Sequence, residues 1–243
     1  IAQQLIKTWG EAGFVWLDGD GSETGRWVTL AVDPIEQICC RGLPSEKEGS
    51  NPFEALRHLT PGNWTGWLSY EAAAWIEPLN PWKADAMATL WMASHDPILR
   101  FDLKKKQLWI EGHNKNRFHR LANWIEKIPT QVKGNEQEKQ HISNGIPLES
   151  WLWLTDKADY LRNVNSIKDL IASGDIFQAN LTACCTTLLP KKINAIDVYQ
   201  RLRQYSPAPF AGVVIGAGAT KDEAIISTSP ERFLKVLPTG EIE

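Results

Sequence analysis

The chain has 243 residues, 43% of them apolar and 23% charged, with a formal net charge of −3. That composition is ordinary for a globular protein, and the length allows one large domain or two small ones with a full core. The slightly acidic balance excludes attraction by charge to nucleic acid or to an anionic membrane; no apolar run is long enough to span a bilayer and the N-terminus lacks a basic-then-apolar signal, so a cytoplasmic protein is expected.

In chain order, 1–9 reads as a short helix and 14–17 as a strand, followed by strands at 26–32 and 36–40 broken by Asp33-Pro34. Asn51-Pro52 opens a brief helix through Leu59, with Asn as cap and Pro at the first position. After the turn at Pro61-Gly62-Asn63, the run 64–70 reads as a buried strand, and 90–93 and 98–103 follow. Lys104-Lys105-Lys106 is the solvated turn of a hairpin whose second strand ends at Glu111. Residues 116–128 form a helix with Phe118, Leu121 and Ile125 on one face.

From 129 to 147 the chain turns to Gln, Lys, Glu, Asn and Gly, too polar to order itself, and is read as a flexible linker or loop. Beyond it Asp156 caps a helix with the stripe Tyr160, Val164, Ile167, Leu170 and Ile171, ending at Gly174. A strand over 176–188, a helix over 196–205, a hairpin of 211–215 with 224–227, and a further hairpin from 233 onward complete the pattern. Short strands mixed with helices, without βαβ alternation, predict an α+β fold with mainly antiparallel sheets packed with helices.

Most chemistry-bearing motifs are missing or have a bland explanation. The glycine-rich stretch Gly19 to Gly25 is followed by a strand, whereas a phosphate cradle needs a helix N-terminus there, so it reads as a wide hairpin turn. Histidines 58, 95, 113, 119 and 141 share no pattern. The pairs Cys39-Cys40 and Cys184-Cys185 lack metal or redox spacing and read as buried free thiols. Gln178 and Asn180 alternate on one strand face, where buried amides would tie strands together. Twelve scattered tryptophans read as core and sheet-face residues. What remains is Ser229-Pro230-Glu231-Arg232-Phe233, where a proline fixes the backbone behind a carboxyl that could act as a general acid.

That motif, with Gly174-Asp175-Ile176-Phe177-Gln178-Ala179-Asn180-Leu181-Thr182 before it, resembles the chorismate-binding family from about Asp156 onward. Weaker matches lie at 17–19, at Gly25-Arg26-Trp27, at Asp33-Pro34 and over Trp64 to Tyr70. The resemblance implies a truncated chorismate-utilising enzyme fold: 1–128 as the N-terminal region, 129–147 as the linker or loop, and 148–243 as the start of the chorismate-binding region, cut before its catalytic core. Ile1 in place of Met and a stop in mid-pattern after Phe233 set the same expectation of a longer parent.

The resemblance further implies that Glu231 is the acid for a hydroxyl leaving group. It implies chorismate and ammonia as substrates, a glutamine amidotransferase component II as partner, and Mg²⁺ in the parent, whose ligands would lie beyond Glu243. No cofactor is expected in this chain by itself. It also implies a tryptophan-sized pocket, whose matching positions are Gly19, Thr24, Gly25, Arg26 and Trp27, then Pro209, Phe210 and Ala211; on packing grounds Trp27, Pro209 and Phe210 are equally core residues. Gly19 stands where the family carries a serine, which tilts the expectation toward the aminodeoxychorismate (para-aminobenzoate) branch, folate pathway, over the anthranilate branch. A non-catalytic ligand- or partner-binding module is the alternative of another class.

Overall fold

The first strand, β1 (Val15–Asp18), is short, and its alternation decides the architecture. Trp16 points to one face and Val15 to the other, and both are buried. The computed structural model, which describes residues 1–128 and 146–242, pairs β1 antiparallel with β2 (Trp27–Ala31) on one side and with β10 (Phe210–Ile215) on the other. The sheet has six strands in the order β11-β10-β1-β2-β6-β7, where β6 is Ile98–Asp102, β7 Gln107–Glu111 and β11 Ala224–Ser229.

One face of this sheet carries Trp16, Val28, Leu30, Leu99 and Val213 against apolar side chains of three helices. These are α1 (Ala2–Trp9), α3 (Lys115–Glu126) and α5 (Ala195–Tyr205), which supply Leu5, Leu121, and Ile196 with Tyr199. The opposite face carries Val15, Ala31, Ile98 and Val214 against a second sheet. That sheet has the order β3-β5-β4, with β3 Glu36–Cys40, β4 Asn63–Leu68 and β5 Leu90–His95, and its stacked Trp67 and Trp91 rings lie 4.9 Å apart. Arg41, just past β3, donates to Ala86 O and Ala219 O and pairs with Glu223, whose other oxygen accepts from Ala88 N. One guanidinium thereby ties the second sheet to the β10–β11 turn.

Between β3 and β4, α2 (Pro52–Arg57) is capped by Asn51, whose side chain accepts from Phe53 N and Glu54 N. Compactness does not follow sequence order. Residues 195–242 pack with 1–128, because β10 pairs with β1, while 146–194 form a second unit. That unit holds α4 (Lys157–Ser173), capped by Asp156 and ended by left-handed Gly174, and a two-residue ladder of β8 (Leu152–Trp153) with β9 (Cys185–Thr186). Tyr160, Val164 and Ile167 of α4 line a groove of about 650 Å³ with Ala179 and Leu181.

The α+β reading with antiparallel sheets is the fold observed, and four local expectations change. The strand expected over 176–188 is only β9, because a ladder needs a partner and only Leu152–Trp153 provides one; Gln178 and Asn180 are exposed and tie no strands. The strand expected over 64–70 stops at Leu68, and Tyr70–Trp75 is a 3₁₀ helix. The last hairpin is a single bridge, Val236 to Ile242. All four cysteines are free, yet Cys39 and Cys184 are exposed rather than buried. The expected linker at 129–147 lies, apart from its last two residues, outside the described residues.

His95, at the end of β5, is 1% exposed; its Nε2–H donates to Gly13 O at 2.9 Å and its Nδ1 has no partner. Burial first, then the nearby Arg117 charge, holds the imidazole below its ordinary value of 6.5. The unfolded chain therefore takes up a proton near that pH while the folded chain does not, so stability is complete above it and falls as pH drops toward the folded value. The urea midpoint is expected to be lower at pH 5.5 than at pH 7.5, and His95→Gln to remove part of that difference; equal midpoints for the unaltered chain would refute it. Asp102, held well below the usual carboxylate range by its bond to Arg26, acts in a separate, more acidic window.

Candidate functional site

β1 runs from the apolar core into a carboxylate. Asp18, 6% exposed, cannot be left unpaired at that depth. It accepts from the Tyr199 hydroxyl at 2.8 Å and from Arg203 Nε at 2.6 Å. Tyr199 and Arg203 lie four apart on α5 and so share one face of it. Arg203 also covers the Trp16 ring at 4.9 Å, and Tyr199 meets that ring edge-on at 5.0 Å. Burial, and then the charge of Asp18, push the Tyr199 phenol far above its ordinary value, so it stays a donor. Of these three residues only Asp18 lies in a family match, the weak one at 17–19; the other sequence signal is a carboxylate at the end of the apolar run Phe14 to Leu17 and a Tyr–Arg pair at helical spacing.

The turn after Asp18 closes on itself. Gly21 N donates to Gly25 O at 3.0 Å, Ser22 N to Asp20 Oδ1 at 2.9 Å, and Gly25 N to Ser22 Oγ at 3.0 Å, with Thr24 Oγ1 3.4 Å from Ser22 Oγ. A Cβ on Gly19 would fall 2.1 Å from Gly25 O, and one on Gly25 would fall 2.7 Å from Pro209 Cα. The main chains of the turn and of the segment before β10 therefore touch, and Asp18 pairs directly with Ala211 in the ladder. Of the eight positions expected to surround a pocket, Gly19, Gly25, Pro209 and Ala211 are brought together at this junction.

Arg26 and Trp27 are turned elsewhere. Arg26 Nε donates to Asp102 Oδ1 at 2.9 Å and its second nitrogen to Oδ2, while Asp102 also accepts from Lys104 N and Lys105 N. Trp27 is 41% exposed, so it is not a core residue; the guanidinium groups of Arg26 and Arg100 lie 5.2 and 5.1 Å from its ring, and Trp109 lies 5.7 Å away.

Glu231 sits two residues past β11 and is exposed. Ser229, opposite Phe210 in the ladder, donates its hydroxyl to Glu231 O at 2.8 Å, and Arg232 lies over the Phe210 ring at 5.0 Å. The structure thus joins Glu231 to Phe210 through Ser229, two residues before it, and Arg232, one after it. Among the described residues no three His, Cys, Asp or Glu side chains are grouped to hold a metal ion, and none of their helices is long and apolar enough to cross a membrane.

The profile of the family described as chorismate binding enzyme matches residues 14–243. An anthranilate synthase component I-like protein from Synechocystis sp. is 30% identical over 178 residues, 72% of this chain and 34% of that protein. Aminodeoxychorismate synthase component 1 of Bacillus subtilis is 25% identical, with 92% of this chain and 53% of that protein covered. The crystal structure of anthranilate synthase component I from Streptococcus pneumoniae aligns with a TM-score of 0.55 and 16% identity, over 88% of this chain and 52% of that one, which shows a shared fold. The chain thus spans about a third to a half of the length of the two curated relatives.

The closed turn has a direct test. Gly19→Ser is expected to lower stability by about 1–3 kcal/mol, because the new side chain meets main-chain oxygen rather than a movable side chain. Thermal melting measures it, and an unchanged midpoint would mean that the turn is open in solution.

Proposed function

This chain belongs to the chorismate-binding enzymes, and on that footing we propose that it is part of the subunit that aminates chorismate at C4, the component I activity of aminodeoxychorismate synthase. The observation that carries the choice is Gly19: the family's serine has no counterpart there, and the turn has no room for a side chain at that position. In this reading Glu231 delivers a proton to the allylic 4-hydroxyl, which leaves as water, and an amine takes its place. Hydroxide is a poor leaving group, and a positioned acid lowers such a barrier by typically two to four decades in rate. An acid of this kind needs partial burial; Glu231 is exposed among the described residues, so further protein or bound substrate has to supply that cover.

Ammonia would come from a glutamine amidotransferase partner, as proposed from the component I naming of the relatives. Mg²⁺, which the resemblance implies, finds no ligand set among the described residues. A second reading, amination at C2 with loss of pyruvate to give anthranilate, is supported by the naming of the Synechocystis relative and of the aligned crystal structure.

The test is product analysis of the enzyme carrying this chain, supplied with chorismate and ammonium. 4-Amino-4-deoxychorismate is the expected product. Anthranilate would establish the second reading instead, and chorismate binding without turnover would leave a binding module. Glu231→Gln is expected to lower kcat by about 10²- to 10⁴-fold, and a variant of unchanged kcat would remove Glu231 from the acid role.

A further inference from the structure

Phe210 begins β10, and its partner across the ladder is Ser229. From there the Ser229 hydroxyl closes the turn around Pro230 by donating to Glu231 O at 2.8 Å. On the other side of the carboxyl, the Arg232 guanidinium rests on the Phe210 ring at 5.0 Å. Phe210 thus meets the residue two before Glu231 through its backbone and the residue one after it through its half-buried ring, while Glu231 and Arg232 themselves are exposed. A short exposed segment draws its order from its contacts, and the Ser229 turn and the Arg232 stack are two of them. Phe210 also has fixed neighbours along the chain: Pro209 abuts Gly25, and Ala211 pairs with Asp18, which Arg203 and Tyr199 hold.

We propose that Phe210 is a positioning residue that sets the direction of the Glu231 carboxyl and couples it to the Asp18–Gly25 junction. This rests on the reading of Glu231 as the acid. The ring touches no reacting atom; it acts through the Arg232 stack, next to the main-chain pairing of Phe210 with Ser229. Simple core packing makes a different prediction, since a packing residue changes global stability without selecting one segment. The coupling is reciprocal, so a change that opens the junction between Gly25 and Pro209 loosens the turn at Glu231.

The test uses ¹⁵N relaxation on this chain together with kinetics on the enzyme that carries it. Phe210→Leu is expected to lower the backbone order parameters of Glu231 and Arg232 while those of Val213 and Val214 stay high, and to move the Arg232 Nε–H resonance as the ring current is lost. Phe210→Tyr, which keeps the ring, should restore both, and Arg232→Gln should loosen the turn with the core untouched. In turnover, Phe210→Leu should lower kcat about ten- to a hundredfold with KM little changed. Order parameters at Glu231 and Arg232 that do not respond to Phe210→Leu would overturn the positioning role. So would an unchanged kcat in Phe210→Leu where Glu231→Gln is inactive. Full activity in Glu231→Gln would instead overturn the acid reading on which the role rests.

Discussion

The antiparallel pairing of β1 with β10 is the constraint on which the rest depends. It brings Asp18 to Tyr199, 181 positions later in the chain, and neither partner strand is long enough to be stable without its neighbours. Because β1 is a central strand with Trp16 toward helices and Val15 toward a second sheet, it contributes to both cores at once. A register slip of one residue would exchange those faces and place Asp18 on the wrong side of the sheet. The pairing of buried Asp18 with Tyr199 and the partly exposed Arg203 favours this register over that slip, since an unpaired carboxylate at that depth is costly.

Around this strand, close backbone approach does work that side chains do elsewhere. Gly19 and Gly25 let the turn after β1 fold onto itself and onto Pro209, and glycine is the residue that allows such contact without a Cβ in the way. The far end of the β10–β11 hairpin is held by Arg41 through Glu223 and two main-chain carbonyls. The near end carries Glu231. In the proposed role, the contacts around Phe210 set the local direction of a carboxyl carried at the end of this hairpin.

Much of the architecture was legible locally. The caps at Asn51, Asp156 and Gly174, the three-lysine turn and the apolar runs of β1, β2 and β10 all carry their structure in short-range pattern. The family, too, could be read from the order of two motifs, and the match over residues 14–243 bears it out. Less legible was the segment 176–188, whose apolar alternation fits a strand but which has only a two-residue partner within its own unit. Exposed Cys39 and Cys184 misled for a related reason: apolar sequence neighbours do not guarantee a covering layer.

Sequence alone determined most of the elements, the antiparallel α+β class, the family and the identity of the one carboxyl with a chemical role to propose. It did so because caps, turns and period-two alternation act over a few residues, and a motif is a local string. Only the tertiary structure decided that Asp18, Tyr199 and Arg203 form one network, that Gly19 meets Gly25 and Gly25 meets Pro209, and that Phe210 pairs with Ser229 and stacks on Arg232 around Glu231. These contacts join residues far apart in the chain through strand pairing, and long-range register is set by the packing of whole faces, which no short window of sequence contains.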